Sequence, residues 1–182
     1  MLQTSAIVLT GLIAAGIAAT GASVSTDGPD VYRQSIEMWR SQRVERLKKS
    51  DGWLSLIGLH WLKDGKNTIG SAKNNDIVLA AGPKTLGTIM RADGKTTITL
   101  DPKSGGKIDG ADKITAELLD DSHDKPTTVS FGTASFYVID RAGKKGLRVK
   151  DSEAKTRKDF VGIDYFDIDT SWRIEAKWIP FD

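Results

Sequence analysis

The stretch GKNTIGSAKNNDIVL, Gly65–Leu79, decides the fold class of this sequence. Two short apolar runs, Asn67–Ile69 and Ile77–Leu79, are separated by Gly, Ser, Asn and Asp, the residue types that supply turn geometry. The same arrangement recurs along the chain and predicts many short strands. Such a pattern favours a mainly β domain, an antiparallel β-sandwich or barrel.

Further strand candidates follow at close spacing, separated by turn signals such as Ala92–Lys95. The segment Trp53–Leu62 is apolar almost throughout, which predicts a strand buried on both faces or packed under a helix. The segment Ser171–Phe181 alternates apolar and polar residues, as a half-buried strand does. The five tryptophans fall mainly at apolar positions of these patterns and are predicted to lie in the core. The remaining candidates are Gly87–Arg91, Thr96–Leu100, Ile114–Leu118, Thr127–Phe131, Phe136–Asp140 and Gly146–Lys150.

One helix is predicted ahead of the strands, at residues 31–49, with Asp30 as its N-cap. Apolar residues recur there with the spacing of one helical face, at Tyr32, Ile36, Trp39 and Leu47. This amphipathic face predicts packing against a sheet. Residues 31–182 are therefore expected to form a single β-rich domain with an N-terminal helix, preceded by a linker at residues 26–30.

Residues 1–25 carry no charged side chain. Their apolar stretch, Ala6–Ala19, is flanked by small residues, which is typical of a secretory signal peptide cleaved after Ala22 or Ser25. The alternative is an uncleaved anchor formed by residues 6–22, although the stretch is short and rich in Gly and Ala for a membrane span. Both interpretations predict an extracytoplasmic location, periplasmic or secreted, with membrane contact only through this segment.

The composition limits the class of function. The 182 residues suffice for one domain with a hydrophobic core. The 26 basic and 24 acidic residues are scattered and leave a formal net charge of +2. Without a basic stripe and interleaved aromatic residues, nucleic-acid binding is not predicted. The lack of cysteine excludes a disulfide framework, a thiolate metal site and a cysteine nucleophile.

Residues 65–79 resemble the second to third strand region of forkhead-associated (FHA) domains. The matching residues are Gly65, Ile69, Gly70, Asn75, Asp76, Ile77 and Leu79. The resemblance implies an FHA-like sheet arrangement, but Ser71 stands where the family has a phosphate-contacting arginine, and Gly82–Met90 lacks the family's histidine. A neutral hydroxyl cannot replace a guanidinium as a phosphate ligand, so turn chemistry is favoured over phosphothreonine recognition.

A wider resemblance is to a family of mostly microbial proteins known only as a domain of unknown function. The residues that carry it follow the family's order: Trp39, Arg43, GWLSLIGLHWLKDGKNTIGS (Gly52–Ser71), RAGKKGLRVKD (Arg141–Asp151) and FVGIDYFDIDTSWRIEAKWIPF (Phe160–Phe181). Members commonly continue into a segment rich in Pro, Asn and Cys, whereas this sequence stops at Asp182. Any site built from that segment is expected to be absent or supplied elsewhere. The resemblance implies no activity and no cofactor.

Two histidines, His60 and His123, limit the options for catalysis. His60 lies in an apolar run, and as a general base it needs a carboxylate such as Asp51 or Asp64. A hydrogen-bonded core histidine is the favoured interpretation. His123 lies in DDSHD, Asp120–Asp124, which could hold a hard cation but lacks EF-hand spacing and a second histidine for zinc. A solvated turn is favoured, and neither a metal site nor a cofactor is predicted.

Arginines from separate segments form the strongest candidate for a ligand site. A guanidinium offers a planar fork of donors to carboxylate or phosphate, so convergence of Arg141, Arg148 and Arg173, with Arg157 as a further candidate, predicts an anion site. Structural ion pairs with neighbouring aspartates are the alternative. Gly143 and Gly146 predict a tight hairpin between Arg141 and Arg148, with a lysine pair at its tip.

These features predict an exported, non-catalytic binding or interaction module. Its partner is expected to be a small anionic ligand or a partner protein. The alternative hypothesis is a small hydrolase-like or lyase-like enzyme that acts on an anionic substrate through His60 and the arginine cluster. The two hypotheses differ in whether His60 lines an open cavity beside a carboxylate.

Overall fold

The structure is a computed structural model that describes residues 28–174 and 176–180. The signal or anchor segment predicted at residues 1–25 lies outside the described residues. Within them, ten strands form two sheets, which confirms the mainly β prediction. The strands are β1 (Leu56–Trp61), β2 (Gly65–Gly70), β3 (Ile77–Val78), β4 (Gly87–Ala92), β5 (Lys95–Leu100), β6 (Lys107–Ile108), β7 (Thr115–Glu117), β8 (Thr128–Phe131), β9 (Ala134–Arg141) and β10 (Lys144–Asp151), and the α-helices are α1 (Pro29–Lys48) and α2 (Lys155–Lys158).

The first sheet has the order β1-β10-β9-β8-β6, and the second has the order β3-β2-β4-β5-β7. The β9–β10 hairpin turns at Ala142 and Gly143, both at positive φ, so the lysine pair begins β10 instead of forming the tip. The strand pairs are antiparallel except β2 and β3, which run parallel. The sequence predicts an antiparallel arrangement. Strand β3 instead runs parallel to β2, because residues 71–76 return the chain along β2 before β3 begins.

The two sheets share one hydrophobic core. Ile69, Ile89 and Ile98 come from the second sheet, and Phe136 and Leu147 come from the first; all have 0% exposure. Strand alternation places these side chains on the inner faces. Each such burial contributes about 1.5–3 kcal/mol to stability.

The segment Trp53–Leu62 is not the doubly buried strand that its composition predicts. Trp53–Ser55 forms a 3₁₀ turn, and β1 is an edge strand that pairs with β10. Leu59 and Trp61 are 49% and 45% exposed. An antiparallel sheet can bury one face and leave the other in solvent, and here the apolar residues occupy both faces.

The helix α1 contacts the C-terminal segment and not the core. Its N-cap is Gly28 rather than Asp30, because Pro29 takes the first helical position, where its missing N–H has no intrahelical partner to lose. None of its described side chains is buried, so the predicted packing against a sheet is not observed. Arg40 Nη2 instead donates to the Phe166 carbonyl oxygen at 2.6 Å. Among the described residues, no helix combines the length and apolar content needed to cross a bilayer.

The described part of the segment Ser171–Phe181, residues 171–174 and 176–180, forms no strand, contrary to the prediction. This part begins in the 3₁₀ turn Thr170–Trp172 and continues without regular secondary structure. Alternation predicts the face that a strand would bury, but a strand also needs a neighbour for its backbone hydrogen bonds. The prediction of core tryptophans is also wrong, since all five are exposed: Trp39 46%, Trp53 67%, Trp61 45%, Trp172 82% and Trp178 86%.

Candidate anion-binding pocket

A pocket of about 160 Å³ opens on the outer face of the first sheet. Strand β10 supplies its cations, because Leu147 and Val149 point into the core while Arg148 and Lys150 point the other way. Aromatic rings from β9 and from the 3₁₀ turn form its walls. The residues that line it are Asp51, Gly52, Trp53, Leu56, Tyr137, Arg148 and Lys150.

The β9–β10 register fixes the cations against Tyr137. Tyr137 pairs with Arg148 across the ladder, and Arg148 Nη1 donates to the Tyr137 hydroxyl at 3.2 Å. The guanidinium carbon lies 5.9 Å from the Tyr137 ring centroid and 5.6 Å from that of Trp53. The Lys150 ammonium lies 5.5 Å from the Tyr137 ring centroid. Cation–π attraction therefore holds both charges at the aromatic walls.

The 3₁₀ turn brings Trp53 over this face of the sheet. Ser55 is fully buried, and its hydroxyl donates to the Gly52 carbonyl oxygen at 2.6 Å, which closes the turn. Lys150 Nζ donates to the Asp51 carbonyl oxygen at 2.6 Å and so connects the turn to β10. Trp53 remains 67% exposed and forms one wall of the pocket.

Neither cation forms a salt bridge in the described part of the chain, although the charge of Arg148 acts on Asp121, the carboxylate paired with Arg141. Arg148 donates to a neutral hydroxyl, and Lys150 donates to a neutral carbonyl. A guanidinium has five N–H donors, so most of those of Arg148 remain for a ligand. Two cations without a salt bridge, beside aromatic walls, are suited to a carboxylate or phosphate group.

Two members of the predicted arginine cluster, Arg141 and Arg148, act on one carboxylate: burial raises the pKa of Asp121, but the hydrogen bond from Arg141 and the charges of both arginines help to lower it. Arg141 pairs with Asp121, with 2.9 Å between Nη2 and Oδ2, and this interaction raises the pKa of Arg141. Arg173 lies with its guanidinium carbon 5.7 Å from the ring centroid of Tyr32 in α1. Arg148 lines the pocket, while Arg141 and Arg173 do not. Ligand binding by these two remains a prediction.

His60 lies on β1, opposite Leu147 of β10, and is partly exposed. Burial lowers its pKa. Within the described residues no carboxylate pairs with its ring: Asp64 pairs with Arg91 at 3.2 Å, and Asp51 interacts with the pocket through its backbone carbonyl. His60 does not line the pocket. A catalytic role for His60 remains a prediction that this arrangement does not favour.

The acidic loop around Asp120 is a folded polar network. Asp120 is 6% exposed and accepts hydrogen bonds from Lys145 Nζ and from Ser122 Oγ, the latter at 2.6 Å. The Lys145 and Ser122 hydrogen bonds hold the pKa of Asp120 far below its usual range. Lys145 also donates to Asp140 at 2.6 Å, and His123 Nδ1 lies 3.5 Å from Asp120 Oδ1. Over residues 28–174 and 176–180, no cluster of three or more His, Cys, Asp or Glu side chains could hold a metal ion.

The FHA-like stretch uses its polar side chains to build turns. Ser71 Oγ donates to the Gly82 carbonyl oxygen at 3.0 Å. Asn75 Nδ2 donates to two backbone carbonyl oxygens, at 2.8 and 3.0 Å. Asp76 Oδ2 accepts from the Thr68 N–H at 2.8 Å, and the Thr68 hydrogen bonds lower its pKa. These contacts are the turn chemistry that the sequence favours.

Among the residues that line the pocket, Arg148 is predicted from the sequence as a ligand-binding residue and the others are not. A usable signal exists for Lys150, because residues two apart on a strand share a face. Tyr137 follows from the hairpin register once the turn at Ala142 is known. No such signal exists for Trp53. Its position depends on a 3₁₀ turn, and the apolar run that contains this turn has the composition of a strand.

Solved FHA domains match about half of the chain. The FHA-2 domain from a Mycobacterium tuberculosis ABC transporter aligns with a TM-score of 0.35 and 27% identity, covering 48% of this chain and 77% of that domain. The FhaA FHA domain, solved in complex with an intracellular domain, aligns with a TM-score of 0.34 and 16% identity, covering 50% and 97%. An FHA domain analysed for phosphothreonine-dependent interactions aligns with a TM-score of 0.34 and 13% identity, covering 50% and 92%.

No protein-family model matches the chain, and the comparison with curated proteins gives no significant match. The resemblance to a family of unknown function therefore remains a prediction.

Proposed function

We propose that this chain is an exported, non-catalytic binding module whose ligand presents an anionic group to the pocket of the first sheet. The observation that carries the proposal is the pair Arg148 and Lys150, two cations that share one pocket and whose side chains donate to neutral acceptors, with no salt bridge to either among the described residues. The ligand class is a carboxylate or a phosphate, on a small molecule or on a partner protein.

Aromatic stacking gives the pocket a fixed geometry before a ligand arrives. The Arg148 guanidinium carbon lies 5.6 Å from the Trp53 ring centroid and 5.9 Å from that of Tyr137, so fewer side-chain rotamers are lost on binding. An anion that replaces water at the guanidinium gains charge-assisted hydrogen bonds, each worth about 1.5–3 kcal/mol. Loss of Arg148 should therefore weaken binding by roughly 10- to 100-fold.

A titration of the full chain with inorganic phosphate and with acetate tests this proposal. The signals to follow are the NMR resonances of the Trp53 indole N–H and the Arg148 Nε–H, which report on the pocket directly. We expect saturable shifts at both groups in the wild type and their loss from the Trp53 indole in Arg148→Ala. Arg43→Ala is the matched control, because Arg43 also stacks on a tryptophan, 5.2 Å from the Trp39 ring centroid, outside the pocket.

Two results would overturn the proposal. One is that neither phosphate nor acetate, at millimolar concentration, produces saturable shifts in the wild type. The other is a response in Arg148→Ala equal to that of Arg43→Ala, because the anion would then bind elsewhere. Retention of the fold in both variants is checked by their circular dichroism.

Export is part of the proposal because residues 1–25 lack charged side chains and contain the apolar stretch Ala6–Ala19. Determination of the N terminus of the protein from the extracytoplasmic fraction tests it. A mature N terminus after Ala22 or Ser25 supports export with cleavage, and an intact N terminus in the membrane fraction supports anchoring. Recovery of the intact chain from the cytoplasm alone would contradict both.

A further inference from the structure

The pocket belongs to a larger basic and aromatic surface on the first sheet. Trp61 lies next to it on the outer face of the sheet, with Lys144 Nζ 5.6 Å from its ring centroid. Trp53, Leu59 and Trp61 are all exposed. We call the surface formed by these three residues with Lys144, Arg148 and Lys150 the basic patch. Exposed aromatic rings beside arginine are the composition of a protein interface rather than of ordinary solvent-facing surface.

The C-terminal segment carries a surface of opposite charge. Phe166 is 95% exposed, and Asp164 and Asp167 on either side of it in sequence are also exposed. Neither aspartate forms an ion pair with another described residue. We call Asp164, Phe166 and Asp167 the acidic ridge.

The acidic ridge is held on α1 and away from the pocket of its own chain. Arg40 Nη2 donates to the Phe166 carbonyl oxygen, and Arg33 Nη2 donates to the Ile168 carbonyl oxygen at 3.4 Å. Tyr165 packs edge-on against Trp39, with 6.2 Å between ring centroids. No residue of the ridge lines the pocket. The backbone of the segment and the Tyr165 ring thus contact α1, while the side chains of Asp164, Phe166 and Asp167 are exposed.

We infer that the acidic ridge of a second copy of this chain docks on the basic patch. The inference rests on the proposed function, since it identifies the anionic ligand as a pair of carboxylates. The ridge has two exposed carboxylates that flank an exposed ring in sequence, and the patch has cations without a salt bridge beside exposed rings, so charge and apolar surface are both complementary. Each copy carries one ridge and one patch. Two copies related by a two-fold axis make the contact twice, which closes a dimer.

A charge-exchange experiment on the full chain tests the inference. One variant carries Arg148→Glu and Lys150→Glu, and the other carries Asp164→Lys and Asp167→Lys. Sedimentation equilibrium at about 100 µM gives the mass, at a concentration that populates any dimer with a micromolar Kd. We expect a wild-type dimer, monomers for each variant alone, and a one-to-one heterodimer when the variants are mixed, because each ridge then meets a patch of opposite charge. The matched control, Lys66→Glu with Lys95→Glu, reverses two exposed charges on the second sheet and should stay dimeric.

Several outcomes would overturn the inference. A monomeric wild type would do so, and so would a dimer that both variants retain, since the interface would then lie elsewhere. The inference would also be overturned if both variants are folded but do not associate when they are mixed. If a variant fails to fold, the salt dependence of the wild-type dimer decides, because a dimer whose Kd does not rise with ionic strength is not held by these charges.

The phosphate titration separates this inference from the proposed function. A monomeric wild type that still binds phosphate at Trp53 and Arg148 would leave the pocket in place and exclude the second copy as its ligand. A monomer that binds neither anion would remove both. If a membrane or a different protein occupies the patch, the wild type would be monomeric and would still bind phosphate.

Discussion

Replacement of Asp120 by Asn should destabilise the fold more than its surface-loop position suggests. Asp120 lies between β7 and β8, is 6% exposed, and accepts hydrogen bonds from Ser122 and Lys145. Asn keeps the size and one acceptor for Ser122. Its amide group, however, is uncharged and cannot accept from Lys145 through nitrogen. Lys145 would keep only Asp140 as an acidic partner.

The expected loss in the free energy of unfolding is about 3 kcal/mol at pH 7. Removing one partner of a largely buried ion pair costs about 3–5 kcal/mol, and the remaining Lys145–Asp140 contact reduces this toward the lower end. For a chain of this length, each kcal/mol lowers Tm by about 2–4 °C, so Tm should fall by about 6–12 °C. These magnitudes follow from the burial of Asp120 and not from its loop location.

The pH dependence has a defined sign. The pKa of Asp120 is lower in the folded chain than in the unfolded chain, because Lys145 and Ser122 favour the carboxylate. Its ionised form therefore stabilises the fold above the ordinary aspartate pKa of about 4, and this contribution is lost as the pH falls below that value. The difference between wild type and Asp120→Asn should be largest near neutral pH and should shrink on acidification.

Urea unfolding followed by tryptophan fluorescence, at neutral and acidic pH, measures both effects. Asp124→Asn is the matched control, since Asp124 lies in the same loop and is exposed. The reasoning is refuted if Asp120→Asn lies within about 0.5 kcal/mol of the wild type at pH 7, the usual range for a surface substitution. A difference that does not change with pH would refute the electrostatic part alone.

Further substitutions test the core and the turns by urea unfolding. Phe136→Ala should cost about 3–5 kcal/mol because the ring is fully buried, whereas Val161→Ala, at a fully exposed position, should stay within about 0.5 kcal/mol; equal effects would contradict the assigned core. Asn67→Ala should cost about 2–3 kcal/mol, because the buried side chain makes hydrogen bonds to three backbone groups, and a neutral result would show that water replaces them. Gly146→Ala should shift the fluorescence of Trp61 and cost about 1–3 kcal/mol, because the new Cβ would lie 2.9 Å from the Trp61 ring; an unchanged spectrum would refute this contact.

The sequence predicts the strands between residues 67 and 150 well because local chemistry determines them. Apolar residues alternate there with short turn signals such as Asp93-Gly94, and both of these residues adopt positive φ in the structure. The two-residue strand β6 has too few residues to show a pattern. Apolar content alone predicts poorly, since the segment Trp53–Leu62 divides into a 3₁₀ turn and an edge strand. Whether a strand is central or at an edge depends on the order of the sheet, which no local pattern contains.

The candidate site is less predictable because it combines side chains from separate elements. Arg148 can be selected from its residue type, but Arg141 has the same type and forms an ion pair with Asp121. The difference lies in the partner that the fold brings to each guanidinium. For Arg148 the hydrogen-bond partner is the neutral hydroxyl of Tyr137, and its charge acts on Asp121 without forming an ion pair with it. Which charged side chains pair thus depends on the strand register, and the amino-acid composition does not determine it.

One sequence signal does point to the side of the molecule that carries the candidate pocket. Residues 62–130 contain no Phe, Trp or Tyr, and this range holds every strand of the second sheet. The described aromatic residues therefore belong to α1, to the 3₁₀ turn that contains Trp53, to the first sheet and to the C-terminal segment. Phe131 and Phe136 are buried in the core, whereas the five tryptophans are exposed. Three of them carry a stacked cation, at Trp39, Trp53 and Trp61, and this combination of rings and charges exists only where the sequence concentrates its aromatic residues.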